Sequence, residues 1–301
     1  MPIKQLFKEA QNIIALECQT NNNPDLHAQY EIIRTQKYDK LLEESDILNC
    51  LVVQASSYSV VRKFFKVLYA EDIYRFDQYY SSHFFKKAIK PDYLYEDWIK
   101  IVLFWGNNLL SKNQLPQCNE IYSLIKAMDK AEREDIENLN SLKPVPRIVF
   151  SLATALPKVK KDILLNSTKF YIKADELSSK YPGRAFDYAE NFSKDIKQMG
   201  TGLVCNFFKE LGLLQYVKVD VHVKDFLENL NTDCKKLNQK RNFILSWLLA
   251  KEAGMEPFYL DKILYVGGKY VKPKIKALFN SYRNEYENTL KRLISQISNY
   301  Y

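Results

Sequence analysis

Glycine and proline are scarce in this chain of 301 residues. It has 8 glycines and 10 prolines, whereas hydrophobic residues make up 47% of the sequence. Because glycine and proline interrupt regular structure more than other residues, their scarcity predicts long helices and an all-α fold. The hydrophobic fraction is sufficient for a buried core, and the length suits one two-lobed domain or two smaller ones.

Histidine is also rare, and the cysteines are not grouped. These residues are His27, His83 and His222, with Cys18, Cys50, Cys118, Cys205 and Cys234. Zinc sites and iron–sulfur clusters need closely spaced cysteine or histidine ligands. The spacing therefore predicts neither kind of metal site, and unpaired cysteines fit a reducing cytoplasm.

Long apolar runs are missing as well. No segment approaches the roughly 18 apolar residues that a membrane-spanning helix needs, and the start Met-Pro-Ile-Lys-Gln does not resemble a signal peptide. We therefore expect a soluble cytoplasmic protein with no membrane partner, most simply a monomer.

Positive charge is in excess, with 44 basic residues against 36 acidic ones and a formal net charge of +8. This balance agrees with a nucleic-acid partner. Two basic groups are Lys158, Lys160 and Lys161, then Lys235, Lys236, Lys240 and Arg241. They would either flank a DNA groove or lie on solvated helix faces, and the pattern leaves both open.

Gly-Thr-Gly at 200–202 lies between two helical patterns. Apolar spacing predicts helices over 186–199 and 203–211, the second capped by Gly212. A link of three residues would force a tight hairpin with positive φ angles, which glycine tolerates. The N–H groups near Gly202 to Val204 would then form an anion site. Alternatively, the glycines merely end one helix and begin another.

Val-Asp-Val-His follows at 219–222, and its aspartate suits two roles. Asp220 can cap a helix over 221–230. A carboxylate fixed beside a sugar also stabilises the positive charge that develops when an N-glycosidic bond breaks, and it can orient the attacking water. The roles are compatible, because capping would hold the carboxylate in place.

Gly-x-Gly, a short helix and Val-Asp-x-His together resemble the signature of the helix-hairpin-helix (HhH-GPD) DNA glycosylases, the superfamily that includes endonuclease III. The patterns over 164–177 and 186–199, with Tyr-Pro-Gly at 181–183 between them, resemble the two helices that lead into the hairpin. The resemblance extends over about 164–230, which is under a quarter of the chain.

The resemblance implies an all-α, two-lobed fold and a glycosylase that rotates a damaged or modified base out of double-stranded DNA. The catalytic carboxylate of the family corresponds to Asp220. The resemblance also implies a cytoplasmic location, nucleoid-associated in a bacterium, and it allows a monovalent cation at the hairpin. The implied DNA contacts are Gly200, Thr201, Gly202, Leu203 and Val204 in the hairpin, with Lys197, Lys218 and His222 beside it.

The chain departs from the family at two points. Members that also cut the DNA strand carry a lysine at the position of Val204, where its amine attacks the sugar. Lys209, five residues further on, is expected to face elsewhere. Many relatives also carry four closely spaced cysteines for an iron–sulfur cluster, which this sequence lacks. The departures predict base removal by water alone, without a cluster and without AP lyase activity.

Three residues compete for the role of filling the duplex hole that a flipped base leaves. The surroundings of Gln54 resemble the family helix that offers a glutamine for this purpose. Asn107 and Asn108 compete with it, and the sequence does not choose among them.

Three consecutive segments are expected: an N-terminal helical region at 1–120, a hairpin lobe at 121–230 and C-terminal helices at 231–301 that pack back on the N-terminal region. Lys-Pro-Val-Pro at 143–146 is the candidate linker. A final helix over 274–298 is expected to pack through one apolar face.

Two other interpretations stay open. The chain could be a non-catalytic helix-hairpin-helix DNA-binding protein, such as a repair accessory or a phage-defence factor. It could also be a helical interaction protein that resembles the glycosylases by accident. The sequence does not predict which base a glycosylase of this kind would remove.

Overall fold

The computed structural model describes residues 2–55, 93–112, 114–133, 144–230 and 232–301. All regular structure in these ranges is helical, which confirms the all-α expectation. The helices are α1 (Pro2–Thr20), α2 (Pro24–Thr35), α3 (Glu44–Ala55), α4 (Tyr95–Lys112), α5 (Ile121–Arg133), α6 (Pro144–Asp162), α7 (Ser167–Lys180), α8 (Pro182–Lys194), α9 (Thr201–Glu210), α10 (Val221–Leu230), α11 (Gln239–Ala253), α12 (Pro257–Tyr270), α13 (Lys272–Ser281) and α14 (Arg283–Gln296). Among these described helices, none combines the length and apolar character needed to cross a membrane.

The chain divides into two compact units. The terminal unit comprises Met1–Lys40, Tyr171–Ala189 and Phe208–Tyr301, and the hairpin unit comprises Leu41–Phe170 and Glu190–Phe207. Both units combine segments that are distant in sequence. The division therefore cuts across the three consecutive segments expected from the sequence.

The terminal unit is built around α11, in which every residue from Asn242 to Ala250 is buried. Helix α1 packs against α11, α12 and α13, so the C-terminal helices lie on the N-terminal one. The ring of Phe226 lies 5.8 Å from that of Phe7 and 4.4 Å from that of Phe279. These three aromatic side chains join α1, α10 and α13 in one core.

The hairpin unit is built on α6, which packs against α3, α4 and α5. Helices α4 and α5 approach closely at Gly106, where an added Cβ would lie 2.5 Å from a methyl group of Leu124. Pro144 and Pro146 lie in the first turn of α6. Proline is well tolerated at the beginning of a helix, so the expected linker at 143–146 is a helix start from Pro144 onward, and Lys143 lies outside the described residues.

The expected final helix over 274–298 is wrong, because two helices occupy its range. Tyr282, with φ −90° and ψ 0°, separates α13 from α14. Its hydroxyl donates a hydrogen bond to Glu9 of α1. The apolar face continues across the break, since Ile275, Tyr286 and Leu290 are all buried. Apolar spacing alone therefore did not indicate the break.

Gly212 ends α9 as predicted, with a φ of 92°. The N–H of Leu213 donates to the carbonyl of Phe208 at 3.2 Å, and the N–H of Gly212 donates to that of Lys209 at 3.0 Å. These two bonds form a Schellman motif. An added Cβ on Gly212 would also lie 2.6 Å from Cα of Lys40. Both the backbone angle and the close packing therefore require glycine.

Replacing Gly212 with alanine should destabilise the protein more than Gly254→Ala does. Gly254 also has a positive φ, 74°, but an added Cβ there meets nothing within 4 Å. Strain alone should cost Gly254→Ala about 1–2 kcal/mol, whereas Gly212→Ala must also displace the backbone of Lys40. Urea unfolding of both variants measures the difference. If both variants lose the same free energy of unfolding, the close packing of Gly212 against Lys40 does not add to the cost.

We predict that the protein loses stability at alkaline pH because the thiol of Cys234 is buried. Its side chain is 1% exposed, and burial, with Asp233 and Glu228 nearby, raises the pKa of the thiol from 9.0 to about 11. The folded state therefore holds a proton that the unfolded state releases above pH 9. The resulting stabilisation, on the order of 2–3 kcal/mol, is complete below pH 9 and is lost as the pH rises through 11.

The measurement is urea unfolding at pH 8 and pH 10.5, with a reductant, for the wild type and Cys234→Ala. The free energy of unfolding should fall more for the wild type, because only the wild type has this thiol. Parallel losses in the two proteins would show that Cys234 is not the titrating group.

Candidate functional site

The link between α8 and α9 is longer than the sequence suggested. Helix α8 ends at Lys194 and α9 begins at Thr201, so residues 195–200 form a link of six residues instead of three. The left-handed residue of the link is Gln198, with a φ of 62°. Among the described glycines, those with positive φ are Gly212 and Gly254. The prediction that Gly200 and Gly202 supply the positive φ angles of the turn is therefore wrong.

Side chains of α5 and α6 fix this link. Lys158 donates to Asp195 at 2.5 Å, and the Thr154 hydroxyl accepts the N–H of Lys197 at 2.9 Å. The Lys197 ammonium also lies 3.0 Å from a carboxylate oxygen of Asp129. These anchors lie about forty or more residues before the link, so local pattern could not reveal them. Lys197, a predicted DNA contact, is paired within the protein.

The first turn of α9 has two backbone N–H groups without an acceptor inside the helix. The carbonyl of Gly200 accepts the N–H groups of Leu203 at 2.9 Å and of Val204 at 3.2 Å. Thr201 and Gly202 lie in the first turn, where N–H groups have no acceptor within the helix. An added Cβ on Gly200 would meet nothing within 4 Å. Of the N–H groups expected to bind an anion, those of Leu203 and Val204 are therefore used within the turn, which leaves those of Thr201 and Gly202 as candidates, and the side chain of Val204 is fully buried.

Asp220 caps α10. Its Oδ1 accepts the N–H groups of His222 at 2.9 Å and of Val223 at 3.2 Å. The capping role considered from the sequence is thus confirmed. Oδ2 lies 3.7 Å from Nζ of Lys218, and the Asp220 side chain is 18% exposed. One oxygen holds the helix while the other faces Lys218 in a half-buried position.

His222 is held in place by its neighbours. Its ring lies edge-on to that of Tyr265, with 5.8 Å between centroids. Gly268 makes room for it, because an added Cβ there would lie 2.7 Å from Nδ1 of His222. His222 also lines a small cleft of about 50 Å³ with an apolar floor that includes Phe226 and Phe279.

Four charged residues form a cluster that the sequence did not connect with Asp220. The buried charge cluster comprises Lys209 and Glu210 at the end of α9 and Asp261 and Lys262 in α12. Lys209 donates a hydrogen bond to Asp261, and its Nζ lies 3.6 Å from Oε1 of Glu210. Lys262 donates to the same Glu210 oxygen at 3.0 Å. The two lysines and Asp261 are 2–6% exposed.

The cluster holds Lys209 in its charged form. Burial lowers the pKa of Lys209, but the charges of Asp261, Glu210 and Asp220 outweigh it, so the pKa is raised. The pKa of Asp261 is raised too, first by burial and also by the charge of Asp220. The signal in the sequence is a charged pair, Asp261 and Lys262, between apolar residues of one helix.

The candidate plug residues differ in their surroundings. Gln54 is 7% exposed, and its side-chain oxygen accepts a hydrogen bond from Asn206. Asn107 exchanges hydrogen bonds with the backbone of Cys118, at 2.8 Å and 2.7 Å. Asn108 has an exposed side chain. Of the three, Asn108 is therefore the one that is presented at the surface.

The structure places the predicted residues in two groups. The hairpin residues 200–204, Lys197 and the plug candidates belong to the hairpin unit, and Asp220, Lys218 and His222 belong to the terminal unit. Within the described ranges, no group of three or more histidine, cysteine or carboxylate side chains could hold a metal ion. Comparisons of the chain with protein-family models, with curated proteins and with solved structures found no match.

The capping bonds predict how Asp220 contributes to stability. Asp220→Ala removes the acceptor of both N–H groups and should lower the free energy of unfolding by about 1 kcal/mol. Asp220→Asn keeps a side-chain oxygen at that position, so this variant should lose much less free energy of unfolding. Thermal and urea unfolding of the two variants test this. If asparagine and alanine destabilise equally, the capping geometry is not what stabilises α10.

Proposed function

We propose that the chain is a monofunctional DNA glycosylase with the two-lobed helix-hairpin-helix fold. It hydrolyses the N-glycosidic bond of a flipped, damaged or modified base in double-stranded DNA and leaves an abasic site. The observation that carries the proposal is the Asp220 carboxylate, which is fixed at the start of α10 yet partly open to solvent. It lies in the segment that resembles the catalytic segment of these enzymes.

The geometry of Asp220 suits the chemistry. Breaking an N-glycosidic bond builds positive charge on the sugar, and a carboxylate that is already fixed stabilises that charge without reorganisation. The capping bonds use Oδ1, so Oδ2 is the oxygen that would face the sugar or orient a water molecule. Lys218, whose Nζ lies 3.7 Å from Oδ2, would turn away from Asp220 and bind a DNA phosphate.

The N-terminus of α9 supports DNA binding. The N–H groups of Thr201 and Gly202 can bind one phosphate, and the space beside Gly200 leaves room for it. Such a contact positions the duplex without reading its sequence. The net charge of +8 also favours binding to DNA.

Two positions of α9 favour hydrolysis over strand cleavage. Val204 stands where strand-cutting relatives carry their nucleophile, and its side chain is fully buried. Lys209 is buried as an ammonium ion in a pair with Asp261. A protonated amine cannot attack the sugar, so Lys209 does not replace the missing lysine.

A non-catalytic DNA-binding protein is the alternative. The capping bonds explain the Asp220 carboxylate without any chemistry. Such a protein would bind duplex DNA with a steep dependence on salt and would release no base.

Asp220→Asn should abolish base release without weakening DNA binding. The substitution keeps the cap but removes the negative charge that stabilises the developing cation, so the rate should fall by at least about a hundredfold. The assay incubates the protein with duplexes that carry oxidised, alkylated, mispaired or modified bases. Alkali then breaks abasic sites, and a denaturing gel detects the products.

Glu228→Gln is the control, because it removes a half-buried carboxylate of the same helix, one that pairs loosely with Lys224 at 3.8 Å. It should release base at the wild-type rate. Equal release by Asp220→Asn and the wild type would refute the mechanism. Salt-dependent binding without release from any duplex would favour the non-catalytic alternative.

A further inference from the structure

The terminal unit carries a surface that combines exposed tyrosine rings with positive charge. The ring-cation surface comprises Tyr181 just before α8, Arg184 in its first turn, Lys240 and Arg241 in the first turn of α11, and Tyr301. It takes in two sequence features that base release does not use, namely Tyr-Pro-Gly at 181–183 and the basic group at 235–241. Tyr181 is 46% exposed and Tyr301 is 49% exposed, so both rings are open to a partner.

A cation lies against each of the two rings. The guanidinium carbon of Arg184 is 4.8 Å from the centroid of the Tyr181 ring, and Nζ of Lys240 is 4.6 Å from that of Tyr301. Nε of Arg241 also donates a hydrogen bond to the Tyr301 hydroxyl at 3.0 Å. A cation within about 6 Å of a ring centroid is attracted to the ring. Both rings are therefore held in place although they are exposed.

A close backbone contact makes the two ring-cation pairs neighbours. A Cβ added to Gly183 would lie 2.2 Å from the carbonyl oxygen of Tyr300 and 2.9 Å from Cα of Tyr301. The backbone at 300–301 therefore lies directly against the first turn of α8. Tyr300 is itself packed on Trp247, with 5.5 Å between ring centroids. The surface is thus formed before any partner binds.

The charge of this surface is positive. Asp187 pairs with Lys240 at 2.8 Å, whereas Arg184 and Arg241 contact tyrosines. A helix face that serves only solubility has charges of both signs interspersed. Here three cations accompany one carboxylate, and exposed rings lie between them. This combination suits a partner that has negative charge and flat aromatic groups.

Single-stranded nucleic acid has both properties. Its phosphates pair with lysine and arginine, and its unpaired bases stack on aromatic side chains and on guanidinium groups. Bases in a duplex are already stacked on one another, so their faces are closed to such rings. An acidic peptide would match the charge but would leave the exposed rings without a partner.

We propose that the ring-cation surface binds single-stranded nucleic acid. Bases stack on Tyr181 and Tyr301, and the phosphates between them pair with Arg184 and Arg241. This inference goes beyond the proposed release of a base from duplex DNA and does not depend on it, because the surface shares no residue with the start of α9 or with Asp220.

The test compares two strands that differ only in their bases. A fluorescein-labelled oligodeoxythymidine of about 12 nucleotides is titrated with the full chain, and binding is followed by fluorescence anisotropy. A strand of the same length made of abasic sugars keeps the phosphates but offers nothing to stack. The wild type should bind the thymidine strand at least about tenfold more tightly than the abasic strand. Oligouridine of the same length distinguishes RNA from DNA as the preferred strand.

Variants separate the rings from the charges. Tyr181→Ala/Tyr301→Ala removes both rings but leaves every charge, so it should lose the preference for the thymidine strand. Tyr181→Phe/Tyr301→Phe keeps the rings and should retain that preference. Arg184→Gln/Arg241→Gln should weaken binding to both strands and flatten the slope of log Kd against log salt by about 1.4, which is about 0.7 for each lost phosphate contact.

The control removes two positive charges elsewhere in the terminal unit. Lys272 and Lys276 are exposed on α13, so Lys272→Gln/Lys276→Gln changes the net charge equally and should weaken binding much less than the arginine variant. The unfolding temperature of each variant shows whether it is folded, and the arginine variant tests the surface if the alanine variant is not.

Two results would overturn the inference. One is a wild type that binds both strands equally, and the other is an alanine or arginine variant that is folded and binds both strands as the wild type does. Release of a base from duplex DNA is assayed separately, so either result would leave the glycosylase proposal intact. Conversely, a wild type that releases no base but prefers the thymidine strand would leave this inference standing.

Discussion

The hydrogen bonds that Asp220 accepts from the N–H groups of His222 and Val223 start α10 and fix one carboxylate at the same time. Much of the terminal unit depends on where α10 lies, because its Phe226 packs between Phe7 and Phe279. The structural role and the proposed chemical role are therefore joined in one side chain. The core orients the helix, and the helix orients the carboxylate.

Two lysines of the terminal unit differ in what they can do. Lys218 is partly exposed beside Asp220 and, in the proposed complex, would bind a phosphate, whereas Lys209 is buried with Asp261. The neighbouring carboxylates raise the pKa of Lys209 against the effect of burial, and an amine held as an ammonium ion cannot act as a nucleophile. Together with Val204, this arrangement explains why we assign hydrolysis of the base and not cleavage of the strand.

Local signals in the sequence predicted local structure well. The all-α fold follows from helical periodicity, and the caps at Gly212 and Asp220 follow from residue types at helix ends. The link at 195–200 was predicted too short because Thr154 and Lys158, distant in sequence, hold it open. The charge cluster was missed for the same reason, since Lys209 and Asp261 are separated by 52 residues.

The central claim is that Asp220 enables the chain to release a base from DNA. The direct measurement is mass spectrometry of the small molecules that appear when the protein is incubated with duplex DNA carrying a mixture of modified bases. The account predicts a free base with the wild type and none with Asp220→Asn, although both bind the DNA. A free base in equal amount from both proteins, or from neither, would contradict it.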